Sequence, residues 1–176
     1  RSNDMVDSAY IKLENSQDRL LGENFIPING ANTLLAENVN NIATCTVVGY
    51  PAKKSKNRNN EHSSEIYSFT GVKLGISEEN HFDLNNENNI AIRFNRRNVI
   101  NPETEEIYTA PSLKGVSGGG IFGWPNNKPL HCEWHERKLI GIFHTYKERE
   151  KLMIGSTLIP FLASLTLGQM KGFGGY

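Results

Sequence analysis

The segment with the clearest chemical pattern is 115–120 (GVSGGG), in which four glycines surround Ser117. A glycine before the serine lets the chain turn so that two backbone N–H groups converge on an anionic oxygen. The glycines after it let neighbouring backbone approach closely. Ser117 would then be a nucleophile, provided that a general base reaches its hydroxyl. A plain tight turn between strands has the same composition, so this segment alone leaves both interpretations open.

Further segments follow this turn in a characteristic order. Segments 138–145 (KLIGIFHT) and 152–160 (LMIGSTLIP) have the composition of strands, and a candidate helix comes next. A glycine-rich nucleophile turn, an LVGI-type strand, another strand and a C-terminal helix occur in this order in the chymotrypsin-like (trypsin-like) serine peptidases, which this sequence resembles. Upstream, segment 7–13 (DSAYIKL) is similar to the family's segment around the triad aspartate, and 47–51 (VVGYP) is similar to a strand end of many bacterial members.

The resemblance implies roles for three residues of this chain. Ser117 would be the nucleophile, the N–H groups of Gly115 and Ser117 would form the oxyanion hole, and Asp7 would orient the catalytic histidine. Asp4 is a competing aspartate, but the apolar alternation after Asp7 favours Asp7. Val116 stands where digestive members carry an aspartate that pairs with a new N-terminus, so that activation route is not expected here.

The resemblance also implies a general base that this chain does not supply. In the family the triad histidine precedes the aspartate, whereas every histidine here follows Asp7: His62, His81, His131, His135 and His144. We therefore expect the base to come from an N-terminal peptidase segment upstream of Arg1, either covalently attached or as a separate bound chain. Residues 1–28 would be the end of a first barrel with the linker, and residues 29–176 would be the second barrel.

The resemblance places three more residues in the substrate cleft. Pro111, six residues before the nucleophile, would lie at the base of the primary pocket. Because segment 111–114 contains no acidic residue, we expect a small or apolar side chain there rather than arginine or lysine. His144 and Thr145 lie on the strand that lines the cleft. For His144, a cleft residue, a substitute base and a plain strand histidine all remain open.

Segment 131–135 (HCEWH) has the residue types of a zinc site, but a structural site usually needs four ligands. Cys45 is the only cysteine besides Cys132. We therefore expect no metal and no cofactor, and two reduced thiols as in a cytoplasmic protein.

The elements that must position these residues are mostly strands. Seven runs rich in β-branched and aromatic residues lie between turn residues, at 42–50, 66–74, 90–94, 107–110, 119–123, 138–145 and 152–159. Such spacing predicts an all-β protein built as an antiparallel β-barrel. The resemblance identifies it as the second barrel of a two-barrel chymotrypsin-like fold, with the end of the first. Segment 160–167 predicts a short C-terminal helix, and 51–62 a solvated hairpin loop rather than an anion-binding patch.

The charge and hydropathy of the sequence argue against two classes of partner, nucleic acid and membranes. The 176 residues include 19 Lys or Arg and 19 Asp or Glu, so the net charge of +0 gives no general attraction to nucleic acid or to an anionic membrane. No apolar stretch is long enough for a membrane span. Composition therefore predicts a soluble protein, and the resemblance implies that it is a serine endopeptidase acting on a protein or peptide substrate. The alternative is an inactive pseudopeptidase that binds peptides or serves as a scaffold.

Overall fold

The computed structural model describes residues 42–58, 61–82, 84, 88–101, 104–125 and 136–159, together with the single residues 17, 19, 23, 33 and 162. Its strands are β1 (Ile42–Gly49), β2 (Ser55–Arg58), β3 (Glu61–Ser64), β4 (Tyr67–Lys73), β5 (Asn89–Arg93), β6 (Val99–Ile100), β7 (Ile107–Tyr108), β8 (Gly120–Pro125), β9 (Lys138–Lys147) and β10 (Leu152–Thr157). A 3-10 turn at Ala52–Lys54 follows β1, and the short helix α1 (Ile76–His81) follows β4.

Six strands form a closed barrel in the order β1-β4-β5-β10-β9-β8. All of its strand pairs are antiparallel. The first three barrel strands form a meander, and the fourth, β8, returns to lie beside the first, which is a Greek-key arrangement. Because the sheet closes on itself, every barrel strand has a neighbour on both sides, although some strand ends, such as that of β9, extend beyond one neighbour. The prediction of an all-β antiparallel barrel is thus confirmed.

The barrel interior is filled by one side of each strand. In β1, Cys45 and Val47 are fully buried and face Phe69, Ile92 and Phe143 in one continuous apolar cluster. β-branched and aromatic residues suit this position because their side chains pack on a pleated surface. This core fixes β1, β8 and β9, the three strands that surround the glycine-rich turn.

The strand predictions are confirmed for six of the seven runs, with ends shifted by one or two residues. Segment 51–62 contains β2, which forms a hairpin with β3. The run at 107–110 is a strand only at Ile107–Tyr108 and pairs with β6 outside the barrel. The sequence did not predict α1. Gly75 begins this helix, where its N–H donates to Glu78 Oε2 at 3.3 Å in a capping contact.

At the C-terminal end, Leu158, Ile159 and Leu162 are helical, and the rest of the predicted helix at 160–167 lies outside the described residues. The predicted division into 1–28 and 29–176 stays a prediction, because only three residues of the first part are described. Within the described chain, no helix has the length and apolar character needed to cross a membrane.

Candidate functional site

The glycine-rich segment forms a tight turn that leads into β8. Gly115 and Gly118 have φ angles of 92° and 89°, in the left-handed region that side chains with a Cβ rarely adopt. Glycines are therefore required on both sides of Ser117. Gly115 has the conformational freedom expected of a glycine before the serine, and the convergence of two N–H groups on one oxygen stays a prediction.

The turn is held from three sides by backbone hydrogen bonds. Val116 is buried, and its N–H donates to Leu113 O at 3.0 Å. On the β9 side, Gly118 N–H donates to Phe143 O, and Phe143 N–H donates to Gly119 O, both at 2.8 Å. After β1, Ala52 N–H donates to Lys114 O at 2.8 Å. These contacts fix the turn before any ligand arrives.

The N–H groups of Gly115 and Ser117 differ from those of their neighbours. Val116 and Gly118 each donate a backbone hydrogen bond, whereas among the residues the structure describes neither Gly115 N–H nor Ser117 N–H has an acceptor. Both residues are exposed. These two unpaired donors, on either side of a buried valine, can donate hydrogen bonds to an anionic or carbonyl oxygen, which is the property an oxyanion hole needs.

The Ser117 side chain lies at the surface and makes one specific contact. Its hydroxyl donates to the backbone carbonyl of His144 at 2.8 Å, across a separation of 27 residues. His144 is thus brought to Ser117 through its main chain. Phe143, the residue before His144, bonds to the turn through both its N–H and its C=O, and these bonds hold β9 beside Ser117.

A cleft of about 610 Å³ opens beside the turn. Its lining includes Gly115 and Ser117 and a set of apolar side chains from three strands and their ends, among them Val48, Tyr50, Ile66, Phe122 and Leu139. Tyr50 and Ile66 are more than half exposed. The cleft therefore offers an apolar wall next to a hydroxyl and two N–H donors.

The other predicted site residues are distributed around this centre. Pro111 is half-buried on the segment that precedes the turn, and His144 and Thr145 lie on β9. None of these three lines the cleft beside Ser117, so their contact with substrate stays a prediction. Asp7 and segment 131–135 lie outside the described residues. In the described part of the chain, no group of three or more His, Cys, Asp or Glu could hold a metal ion.

A polar cluster at one end of the barrel was not predicted from the sequence. Glu79 of α1 is 1% exposed and lies 4.0 Å from Lys73, whose side chain is 6% exposed. Burial raises the pKa of Glu79 above its usual value, against the opposing effects of Lys73 and of a hydrogen bond from Ala91. Burial likewise raises the pKa of Cys45 to about 12. Cys45 is therefore a protonated thiol near neutral pH and is unsuited to act as a nucleophile or metal ligand.

Comparison with models of known protein families and with curated proteins finds no match to this sequence. A function must therefore be inferred from the site and the fold.

Proposed function

We propose that this chain is the nucleophile-bearing barrel of a chymotrypsin-like serine endopeptidase, with Ser117 as its nucleophile. The N–H groups of Gly115 and Ser117 form the oxyanion hole, and Asp7 orients a histidine that a segment outside this chain supplies. Peptide bonds of a protein or peptide substrate are hydrolysed through an acyl-enzyme.

The observation that carries the proposal is the pair of unpaired N–H donors at the serine. Because Gly115 and Ser117 are exposed, their N–H groups bond to solvent in the free protein and are available to a substrate oxygen, whereas those of Val116 and Gly118 are already paired within the turn and with β9. Glycine adopts the left-handed conformation without a steric cost, and at Gly115 this conformation would let its N–H and that of Ser117 bind the same oxygen. A closed antiparallel barrel with a Greek-key return strand supports the proposal at the level of the fold.

The chemistry follows from these positions. The Ser117 hydroxyl turns away from the His144 carbonyl, transfers its proton to the histidine and attacks the carbonyl carbon of the substrate. The tetrahedral oxyanion accepts bonds from Gly115 N–H and Ser117 N–H. As the C–N bond breaks, the imidazolium protonates the leaving amine. Water, deprotonated by the same histidine, then hydrolyses the ester and restores Ser117.

The test is covalent labelling of the complete protein, with any copurifying chain that carries a histidine, by a fluorophosphonate probe. We expect labelling that disappears in Ser117→Ala and persists in Ser68→Ala, a matched variant of another exposed serine. Labelling that survives Ser117→Ala would assign the reactivity to a different residue, and loss of labelling in Ser68→Ala as well would contradict a specific role of Ser117.

The alternative function is a pseudopeptidase that binds peptides in the same cleft. One observation favours it: the Ser117 hydroxyl donates to a main-chain carbonyl, and in the described residues no histidine ring is its acceptor. A binding module would not react with the probe. No labelling of the folded, complete protein would therefore support the binding module and exclude the endopeptidase.

A further inference from the structure

A second cavity lies at the C-terminal end of β9. It has a volume of about 670 Å³ and is bounded by the segment after β5 and by the β9–β10 turn. Its cationic lining residues are Arg96, Arg97, Lys147, Arg149 and Lys151. Two carboxylates, Glu148 and Glu150, also line it, so five positive and two negative charges leave an excess of three positive charges. The whole chain has a net charge of +0, so this excess is a local feature.

One carboxylate oxygen serves both arginines of the cavity. Glu148 Oε1 lies 3.6 Å from Arg96 and 4.0 Å from Arg97. Arg96 is held in place, because its Nη1 donates to Ala110 O at 3.0 Å while Ala110 N–H donates to Arg96 O at 2.8 Å. Arg97 is 78% exposed, and in the described chain its guanidinium has no closer acceptor than Glu148. Most of its N–H donors therefore remain available to an anion.

Hydrogen bonds within the protein connect the segments that form the walls of the cavity. Tyr146 of β9 donates its hydroxyl to Phe94 O at 3.1 Å, and Phe94 N–H donates to Lys151 O at 2.8 Å. These bonds join the segment after β5 to both arms of the β9–β10 hairpin. The cationic groups are thus carried on a fixed frame rather than on separate loops, which reduces the entropy lost when they bind a partner.

Strand β9 connects this cavity to Ser117. Pairing of β8 with β9 extends only to Gly120 opposite Ile142, and the turn bonds Phe143 beyond it. From Thr145 to Lys147, the described structure contains no strand on that side of β9. The distance along the strand from His144, which receives the Ser117 hydroxyl, to Lys147 is about 10 Å. An extended peptide that pairs with this free stretch would span both sites.

We propose that the cavity selects peptide substrates with an acidic side chain three or four residues before the scissile bond. This inference rests on the proposed function, because that function makes β9 the substrate strand. The peptide runs antiparallel to β9, as every barrel strand does to its neighbours, so residues farther along β9 meet residues nearer the peptide's N-terminus. An Asp or Glu side chain there reaches Arg97 and Arg149, and both are exposed. Charge-assisted bonds to a guanidinium are the strongest that a carboxylate can make here.

The test measures binding rather than cleavage, so it does not depend on catalysis. Two fluorescein-labelled alanine-rich hexapeptides are compared by fluorescence anisotropy on the complete protein carrying Ser117→Ala. One has Asp and the other Asn at the third and fourth residues from the C-terminus. We expect the Asp peptide to bind about ten-fold more tightly at low salt. We expect the advantage to disappear at 0.5 M NaCl and in the double variant Arg97→Ala, Arg149→Ala.

Arg93→Ala is the matched control, because Arg93 is an exposed arginine that does not line the cavity. It should retain the full preference for Asp. Equal affinity for the two peptides, or a preference that survives the double variant, would overturn the proposal. Tighter binding of a single-stranded oligonucleotide, lost in the same double variant, would overturn it in favour of a nucleic-acid site. Failed fluorophosphonate labelling would refute the endopeptidase function and leave this binding result unaffected.

Discussion

Substituting alanine at the two left-handed glycines separates backbone strain from steric overlap. At Gly118, φ is 89° and an added Cβ would have no heavy atom within 4 Å. Gly118→Ala therefore costs only the strain of the left-handed conformation, about 1–2 kcal/mol. At Gly115, φ is 92° and an added Cβ would lie 2.8 Å from Ala52 N and 2.9 Å from Ala52 Cβ. Overlap with a packed neighbour adds about 1–3 kcal/mol, so Gly115→Ala should cost about 2–5 kcal/mol.

Urea unfolding, followed by circular dichroism, measures both variants. With an m-value of about 2 kcal/mol/M, the midpoint should fall by about 0.5–1 M for Gly118→Ala and by about 1–2.5 M for Gly115→Ala. Gly75→Ala is the control, because an added Cβ there would meet nothing within 4 Å and φ is not in the left-handed region. Its poorer helix capping offsets the entropy gained in the unfolded state, so its midpoint should change little.

One result would refute this explanation of the two glycines. If Gly115→Ala is no more destabilising than Gly118→Ala, the turn does not rest against Ala52 in solution. The bond from Ala52 N–H to Lys114 O, which holds the turn on its β1 side, would then be in doubt as well. The oxyanion hole proposed at Gly115 N–H would lose its structural basis.

Three further predictions concern the buried polar groups. Burial raises the pKa of Cys45 from 9.0 to about 12, so the folded state keeps a proton that the unfolded state loses above pH 9. The free energy of unfolding of the wild type should therefore fall by ~2 kcal/mol between pH 8 and pH 10.5 relative to that of Cys45→Ala. Urea midpoints of the two proteins that change equally with pH would contradict this. Burial also raises the pKa of Glu79, against the opposing charge of Lys73, so the wild type loses stability relative to Glu79→Gln as the pH rises above 4.5. Thermal unfolding of both proteins measures this, and a difference in melting temperature that stays constant with pH would refute the raised pKa. Trp124 Nε1 donates to Thr46 Oγ1 at 2.8 Å in the interior, so Thr46→Val should cost about 1–3 kcal/mol in urea unfolding; an unchanged midpoint would show that the indole N–H finds another acceptor.

The sequence was sufficient for the barrel strands because each is a short run with local character. Ile42–Gly49 is rich in β-branched residues, and Lys138–Lys147 combines β-branched and aromatic residues with a lysine at each end. Such patterns are recognised without knowledge of a distant partner. Helix α1 was missed for the opposite reason. Its six residues are too few to be stable alone, and it forms where Gly75 caps it and Ala91 N–H donates to Glu79 Oε1 at 3.3 Å.

The glycines around Ser117 also indicated a turn from the sequence alone, since left-handed residues are restricted to very few residue types. Which N–H groups that turn leaves unpaired was decided only by the tertiary structure, because the acceptors for its other donors include Phe143, more than 20 residues away. The same holds for the cationic cavity. Arg96 and Glu148 are far apart in sequence, and the pairing of β10 with both β5 and β9 places them within ion-pair distance. Local patterns determined the strands and the turn, and long-range pairing determined which groups meet.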